Sequence, residues 1–329
     1  MRVLCVCTGN TCRSPMLATL LRAKLGDGAI VESAGTSAAD GEPASDGAVR
    51  AMQRRGLSLA KHGSQNLTAI DLTGVDLVLT MSARHSAAVL ALGVPAARVR
   101  VVNAEAGGVP DPFGGSDSDY EACARVLENA ANHYVTTMTS AISNACAAID
   151  AANAKDPKRG PDGRAEALRY ADGISRWISR LVPRASTALT IAARGQHLER
   201  WAIPRSDFPM DKPGYFLWRK SLQARQGQRV RELLAGLIDD SLSQRIGQLV
   251  AKGAPKGDAE GQALEDAACL VFLESEIAAF AAEHADYSAD KYIDILKKTW
   301  KKMSSSGQQA ALGLHLAEPF ASLVKRAVG

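Results

Sequence analysis

The sequence has no apolar stretch long enough to cross a membrane as a helix, so we expect no membrane insertion. Its six cysteines include no Cys-x-x-Cys pair and no clustered His–Cys spacing, so we expect neither zinc nor another cofactor. The formal net charge is only +4, and this modest basic excess is expected to be mostly solvated surface. The first residues enter an apolar strand pattern directly, which indicates that no secretory signal is present. The 329 residues are enough for two globular domains.

The segment from Cys7 to Pro15, with the sequence CTGNTCRSP, is the most informative part of the chain. It follows the apolar run Val3–Val6, which predicts a strand, and it precedes residues 16–21, which predict a helix. In such a loop the peptide N–H groups converge on an anion, and the helix dipole adds positive potential. This field favours a thiolate at Cys7, while the Arg13 guanidinium can hold two phosphate oxygens.

A cysteine followed six positions later by an arginine is a weak pattern by itself, and a purely structural loop is the alternative. Of the six cysteines, only Cys7 has this spacing, and Ser14 and Pro15 are typical of a helix start. Ser14 can donate its hydroxyl to the sulfur or cap the helix. The context therefore favours a phosphate-binding loop with Cys7 as a nucleophile.

A second motif follows later in the chain, at Asp111–Ser116, with the sequence DPFGGS. Between the two motifs, Ser33–Ser37 is expected to end a second strand and Asp76–Met81 to form a third. With these landmarks in order, residues 1–142 resemble the low-molecular-weight protein phosphatases. The resemblance implies a phosphorylated protein substrate, with Cys7 as nucleophile, Arg13 as transition-state clamp and Asp111 as general acid.

The same resemblance implies roles for further residues around the loop. Asn10 would brace the loop, and Ser14 would tune the thiolate. The residues expected to contact the phosphate or the substrate are Thr8, Gly9, Asn10, Thr11, Cys12, Ser14 and Phe113.

The chemistry of these residues is consistent with phosphoryl transfer. A thiolate at Cys7 can take the phosphoryl group as a phosphocysteine, while loop amides and Arg13 hold the oxygens as charge builds. Asp111 can protonate the leaving group and later activate water, and Pro112 favours an extended backbone at Asp111. The alternative is a turn aspartate, since Asp-Pro favours turns.

Two phosphorylated residues are candidate substrates, phosphoarginine and phosphotyrosine. Tyrosine-directed relatives usually line the site with aromatic side chains. Here Thr36–Asp40 has none, and the segment Asp111–Ser116, which we call the acid loop, offers only Phe113. Thr11 stands where many of those relatives carry a branched aliphatic residue. A threonine at this loop position resembles the bacterial protein-arginine phosphatases. We predict phosphoarginine, with phosphotyrosine as the alternative. An arsenate reductase is disfavoured, because residues 80–110 contain no cysteine.

Cys12 lies in the same loop as Cys7 and has two candidate roles. It could form a reversible disulfide that protects the nucleophile, or it could be a small, partly buried thiol. Cys5 alternates with Cys7 along the strand and is expected to pack in the core. A nucleophilic cysteine that must stay reduced indicates a cytoplasmic protein.

For residues 1–142 we predict an α/β fold, a doubly wound, parallel, four-stranded sheet with the phosphate-binding loop after its first strand. The strands are expected at 2–7, 30–34, 76–81 and 98–102, and the helices at about 16–25, 44–55, 83–92 and 117–140. Tyr120 and His133, on the last of these helices, are expected to be surface or packing residues.

Residues 143–329 are predicted to form an all-α domain. Asn153–Gly163 has the composition of a loop, and nearly everything beyond it is helical. The helices are expected at about 164–181, 185–202, 213–237, 240–251, 258–285, 289–304 and 307–326. Through Ala192–Arg205, Gly214–Arg219 and Leu264–Glu274, this half resembles a helical family known only as a domain of unknown function, which implies no activity.

Two hypotheses concern binding by this half. His197 with Glu265 or Asp266 could hold a metal, but a hydrogen-bonded structural role is favoured because further ligands are not evident. Arginines and aromatics could instead bind a nucleotide or RNA, and the alternative is a salt-bridged surface with buried aromatics. The members of this set are Arg194, Arg200, Arg205, Arg219, Trp201, Tyr215 and Trp218.

Overall fold

The structure, a computed structural model, describes residues 1–26 and 29–328. Residues 27 and 28, in the predicted first domain, and Gly329, at the end of the predicted second, lie outside the described residues. The chain divides into two compact units, Met1–Ser143 and Asn144–Gly329. Within the described ranges, no helix is long and apolar enough to span a bilayer.

The first unit is an α/β structure. Its strands are β1 (Arg2–Cys7), β2 (Ile30–Gly35), β3 (Leu77–Thr80) and β4 (Val99–Val101), and its helices are α1 (Arg13–Leu25), α2 (Asp46–Gln53), α3 (Ala83–Ala91) and α4 (Asp117–Asn153). The strands form a parallel sheet in the order β2-β1-β3-β4, with Val3 opposite Val31 on one side and Leu77 on the other. The predicted four-stranded parallel fold is therefore confirmed.

Strand β1 lies between two neighbours and is buried on both faces, which explains its continuous apolar sequence. Cys5 and Cys7 belong to one core cluster with residues of α1, while Leu4 and Val6 belong to the cluster on the opposite face. This two-residue alternation directs the Cys7 side chain to the face covered by α1. The predicted core position of Cys5 is confirmed, and burial raises the pKa of its thiol.

Helix α4 continues to Asn153, beyond the range of about 117–140 that was assigned to the first domain. Near its start, Tyr120 is 5% exposed and packs directly against Gly47 of α2, where any side chain would collide with the ring. His133 is exposed. Tyr120 is thus a packing residue, and His133 is a surface residue.

The second unit is helical, and no β-strand occurs among residues 144–328. After the end of α4, its helices are α5 (Glu166–Leu181), α6 (Thr187–Arg194), α7 (Lys212–Leu234), α8 (Asp240–Val250), α9 (Ala259–Val271), α10 (Ile277–Glu283), α11 (Ala289–Lys302), α12 (Ser305–Leu312) and α13 (Phe320–Val328). Helices α7 and α8 approach closely, since a side chain on Gly227 would meet the Gly247 carbonyl. The predicted all-α character of this half is confirmed.

Three of its predicted helices are wrong in detail. The helix predicted over 185–202 ends at Arg194, because His197 (φ 64°) and Glu199 (φ 46°) adopt left-handed backbone conformations. The helix predicted over 258–285 is interrupted by a π-helical turn at Phe272–Glu276. The helix predicted over 307–326 is two helices, α12 and α13.

Candidate active site

The Cys7 side chain lies at the carboxyl end of β1, where the loop to α1 begins. The thiol is 2% exposed, and its sulfur accepts the Asn10 N–H at 3.3 Å. The Ser14 hydroxyl lies 3.0 Å from the sulfur and 3.3 Å from the Ala34 carbonyl. Because a thiolate can only accept hydrogen bonds, the single Ser14 proton would go to the sulfur in that state. The sulfur thus has two hydrogen-bond donors within reach, the Asn10 N–H and the Ser14 hydroxyl.

Asn10 holds the loop in its curved conformation. Its backbone is left-handed (φ 55°) and its side chain is fully buried, with the amide Nδ2 donating to Ser14 Oγ at 2.8 Å. Its Oδ1 accepts the Gln65 N–H at 2.9 Å. The carbonyl of Asn10 accepts from His62 Nε2 at 2.7 Å, and burial lowers the pKa of this imidazole. Asn10 therefore joins the loop to the segment before β3.

Arg13 is the first residue of α1, and its guanidinium is 8% exposed. Nη1 donates to the Val109 carbonyl at 3.2 Å, and Nη2 forms an ion pair with Asp111. Its Nε is buried and has no hydrogen-bond partner among the described residues. A buried donor without a partner costs free energy, so this N–H is available to an oxyanion in the loop.

Asp111 connects the loop with the solvent-facing entrance. Its side chain is 47% exposed, and Oδ1 accepts the Phe113 N–H at 3.3 Å while Oδ2 contacts Arg13. Phe113 is 73% exposed and is available to a substrate side chain. An acid at this position can reach a leaving group that projects out of the loop.

A hydrogen-bonded chain links the loop to the start of α3. Thr8 Oγ1 lies 2.9 Å from His85 Nε2, and His85 Nδ1 lies 2.9 Å from Ser82 Oγ. His85 is 4% exposed, and burial, with Arg13 and Arg84 nearby, lowers its pKa. His62 and His85 were both missed at the sequence level. The sequence feature that could have drawn attention to these two residues is the small number of histidines in the chain, 6 in all.

Cys12 is a buried thiol in the same loop as Cys7. Its sulfur lies 3.1 Å from Ser45 Oγ, 3.6 Å from the Tyr120 hydroxyl and 3.7 Å from Thr11 Oγ1. Cys7 and Cys12 are both free thiols. A regulatory disulfide between them stays a prediction.

The close approach of β2 to the loop depends on Gly35. An added Cβ there would lie 2.9 Å from the Asn10 nitrogen and 2.8 Å from the Ala38 Cβ. Thr8 and Thr11 lie in the loop with side chains partly or fully open to solvent, and Gly9 is half-buried. The structure thus brings the sequence-predicted residues of both motifs to one place.

The candidate residues of the second unit have other partners. Asp266 accepts from Ser304 through both carboxylate oxygens, and Glu265 pairs with Lys252 at 2.6 Å. Within the described ranges, no group of three or more His, Cys, Asp or Glu side chains could hold a metal. His197 stacks on Tyr170 with ring centroids 3.9 Å apart.

The predicted nucleotide-binding set is only partly available to a ligand. Arg194 pairs with Asp150 and Asp172, each at 2.6 Å. Arg205 donates to backbone carbonyls of residues 208, 209 and 211, and the buried Trp218 donates its N–H to the Ile203 carbonyl at 2.9 Å. Nucleotide or RNA binding therefore stays a prediction.

The comparisons with known proteins agree with this geometry. A family model described as low molecular weight phosphotyrosine protein phosphatase matches residues 2–144, and one described as domain of unknown function (DUF4202) matches residues 143–324. A protein-arginine-phosphatase from Geobacillus stearothermophilus is 38% identical over 133 residues, 39% of this chain and 88% of that protein.

Further relatives carry the tyrosine-phosphatase name. The low molecular weight protein-tyrosine-phosphatase Etp of Escherichia coli K12 is 34% identical over 141 residues, 42% of this chain and 94% of that protein. A solved low molecular weight protein tyrosine phosphatase from T. tengcongensis is 35% identical, with 41% of this chain and 98% of that chain covered and a TM-score of 0.39.

These matches define the class of protein as a phosphoprotein phosphatase with cysteine-based chemistry. The chain belongs to the low-molecular-weight protein phosphatase family, and its second half belongs to the DUF4202 family.

Proposed function

We propose that Cys7 is the nucleophile of this phosphatase. The observation that carries the proposal is the Cys7 sulfur, which accepts the Asn10 N–H and lies beside the Ser14 hydroxyl. The thiolate attacks phosphorus, the bond to the leaving group breaks, and the phosphoryl group becomes a phosphocysteine. The loop amides of residues 8–13 and the unpartnered Arg13 Nε–H hold the three equatorial oxygens.

Asp111 acts as the general acid and then as the general base. In its protonated form it gives a proton to the departing atom of the substrate. The carboxylate left behind takes a proton from the water that attacks the phosphocysteine, and Cys7 leaves as a thiolate. The ion pair with Arg13 keeps the Asp111 side chain at the mouth of the loop.

We propose phosphoarginine as the substrate and keep phosphotyrosine as the alternative. Thr11 supports this choice because its partly exposed hydroxyl lies in the loop, 3.7 Å from the Cys12 sulfur, and can orient a polar guanidinium. Phe113 is the one aromatic residue of the acid loop, and Thr36–Asp40 adds none. The phenyl ring of a phosphotyrosine substrate would gain little from contact with the Thr11 hydroxyl.

The test compares a phosphoarginine peptide with a phosphotyrosine peptide of the same sequence. The wild-type chain should have the higher kcat/KM on phosphoarginine, and Thr11→Ile should lower that preference by about tenfold, since one polar contact has a modest effect. Thr36→Val serves as the control for loss of a hydroxyl outside the loop. A higher wild-type kcat/KM on the phosphotyrosine peptide would overturn the substrate proposal and leave the phosphatase chemistry intact.

For the organisation of the chain, we propose a catalytic domain at 1–142 and a separate helical domain at 143–329 that recruits substrate. A competing view gives the helical domain the principal role, with the phosphatase as its regulator. A nucleophilic thiol has to stay reduced, which a reducing compartment favours, so we propose the cytoplasm. Trapping with Cys7→Ser, in the full chain and in residues 1–142, tests whether the helical domain is needed to capture phosphoproteins.

A further inference from the structure

Thr8 is the residue at which the loop leaves β1, directly after the proposed nucleophile. Its carbonyl accepts the Ser37 N–H at 3.0 Å, and the Cys7 carbonyl accepts the Thr36 N–H at 2.9 Å. The chain that follows β2 therefore holds the backbone at the start of the loop. The Thr8 hydroxyl is held from the other side, by His85 of α3.

His85 lies in the first turn of α3, and both nitrogens of its ring have a partner. Nε2 lies 2.9 Å from Thr8 Oγ1, and Nδ1 lies 2.9 Å from Ser82 Oγ. Because a hydroxyl both donates and accepts, either tautomer of the neutral ring can make both hydrogen bonds. Ser82 is the N-cap residue of α3, yet its hydroxyl bonds the imidazole and makes no capping bond to the helix. The ring is thus fixed at both ends.

The segment before α3 also contacts the chain that leads into the acid loop. The Met81 carbonyl accepts the Val109 N–H at 2.9 Å, and the Val109 carbonyl accepts from Arg13 Nη1 at 3.2 Å. The two backbones approach closely because residue 108 is a glycine: an added Cβ on Gly108 would lie 2.5 Å from the Met81 carbonyl oxygen. Asp111 follows Val109 by two residues.

We propose that His85 is a positioning residue of the phosphatase site, which acts through the Thr8 hydroxyl to fix the start of the phosphate-binding loop relative to the segment that holds Arg13 and Asp111. This inference rests on the proposed function of the Cys7 loop. Donors that stabilise a transition state must already point to one centre before the reaction, and a displacement of about 1 Å can be costly. The contacts of His85 connect the first residue of the loop with the guanidinium at its end.

The exposure of the two partners indicates that their hydrogen bond affects position more than stability. His85 is 4% exposed, whereas Thr8 is an exposed residue. If the bond to His85 is lost, water can replace it at the Thr8 hydroxyl, so the net cost in stability is small. Water cannot replace the buried imidazole as a fixed point for the loop.

Two substitutions of His85 in the full chain separate its two hydrogen bonds. The amide of glutamine can lie near the position of Nε2, and the shorter asparagine places its amide near Nδ1. His85→Gln can therefore still bond Thr8, whereas His85→Asn cannot reach it. We expect His85→Asn to lower kcat/KM for para-nitrophenyl phosphate about 3- to 10-fold, as for the loss of one hydrogen bond, and His85→Gln to recover most of this loss. His133→Asn, on the exposed surface of α4, should stay within about twofold of wild type.

A double-mutant cycle tests whether His85 acts through Thr8. Thr8→Val removes the hydroxyl from the other end of the same bond and should also lower kcat/KM about 3- to 10-fold. The double variant Thr8→Val, His85→Asn should be within about twofold of the weaker single variant, because the shared bond can be lost only once. Losses that multiply would show that the two residues act independently and would overturn the proposal.

Hydrogen exchange of the β1 amides distinguishes a positioning role from a merely structural one. Thr8→Val should keep the protection of these amides within about twofold of wild type while its kcat/KM falls. Because Thr8 is exposed, this variant remains informative even if His85→Asn is poorly folded. A loss of activity that appears only together with a loss of protection would contradict the positioning role.

The failure of this inference differs from the failure of the proposed function. Phosphate release that persists in Cys7→Ala would refute the proposed function. Cys7-dependent release with wild-type kcat/KM in Thr8→Val would refute the role of His85 alone. Equal losses in His85→Asn and His85→Gln would also refute it, since the bond to Thr8 would then not decide the rate.

Discussion

The substitution Arg13→Lys separates the geometry of the guanidinium from its charge. Lysine keeps the positive charge, but its single ammonium cannot replace a planar fork that reaches Val109, Asp111 and a bound oxyanion at once. The variant should lose one to two charge-assisted hydrogen bonds to the transition state. Each such bond contributes about 1.5–3 kcal/mol, so the loss is about 1.5–6 kcal/mol. At 1.36 kcal/mol per factor of ten, kcat/KM should fall roughly 10- to 10⁴-fold.

The assay for this prediction is steady-state hydrolysis of an aryl phosphate by the full chain. Arg54→Lys is the matched control, because Arg54 is 43% exposed and pairs with Asp117 and Glu121 on the surface. Its kcat/KM should stay within about twofold of wild type, since surface ion pairs contribute little. If Arg13→Lys retains wild-type kcat/KM, the guanidinium does not clamp the transition state and the reasoning fails.

Three further predictions concern the catalytic unit. Asp111→Asn should lower kcat by about 10²- to 10⁴-fold on substrates with poor leaving groups and less on good ones, as a series of aryl phosphates would show. Because burial lowers the pKa of His85, the unfolded state binds the extra proton first, so the stability of the first unit should fall as the pH drops below about 6.5. Hydrogen exchange of β1 amides should detect this loss and a smaller slope in His85→Gln; identical slopes would contradict it. Gly35→Ala should displace the loop and reduce both activity and stability, whereas Gly63→Ala, with its nearest contact at 3.6 Å, should be nearly neutral.

The first unit was largely predictable because its signals are local. The apolar run of β1 and the glycine- and serine-containing loop after it determine a strand, a turn and a helix start within fifteen residues. The contacts of His62 and His85 with the loop were not predictable, because each joins residues more than fifty positions apart. Only the fold brings such residues together.

The second unit was predictable as helical but not in its interruptions. Helical periodicity continues through residues 195–202, yet Gly195 packs against Val250 and His197 turns the chain back. The intrinsic helix propensity of a segment has a weak influence on where a helix ends compared with such tertiary contacts. The roles of Arg194 and Trp218 were likewise decided by partners in other elements, Asp150 and the Ile203 carbonyl.

The central claim is that a phosphoryl group passes through the sulfur of Cys7. The most direct measurement is rapid acid quenching of the enzyme during turnover, followed by mass spectrometry of the peptide that contains residues 3–13. We predict a phosphorylated peptide with the phosphoryl group on Cys7, in amounts that increase in Asp111→Asn if attack of water becomes the slower step. Continued phosphate release by Cys7→Ala, with no phosphorylated peptide at any quench time, would contradict the account.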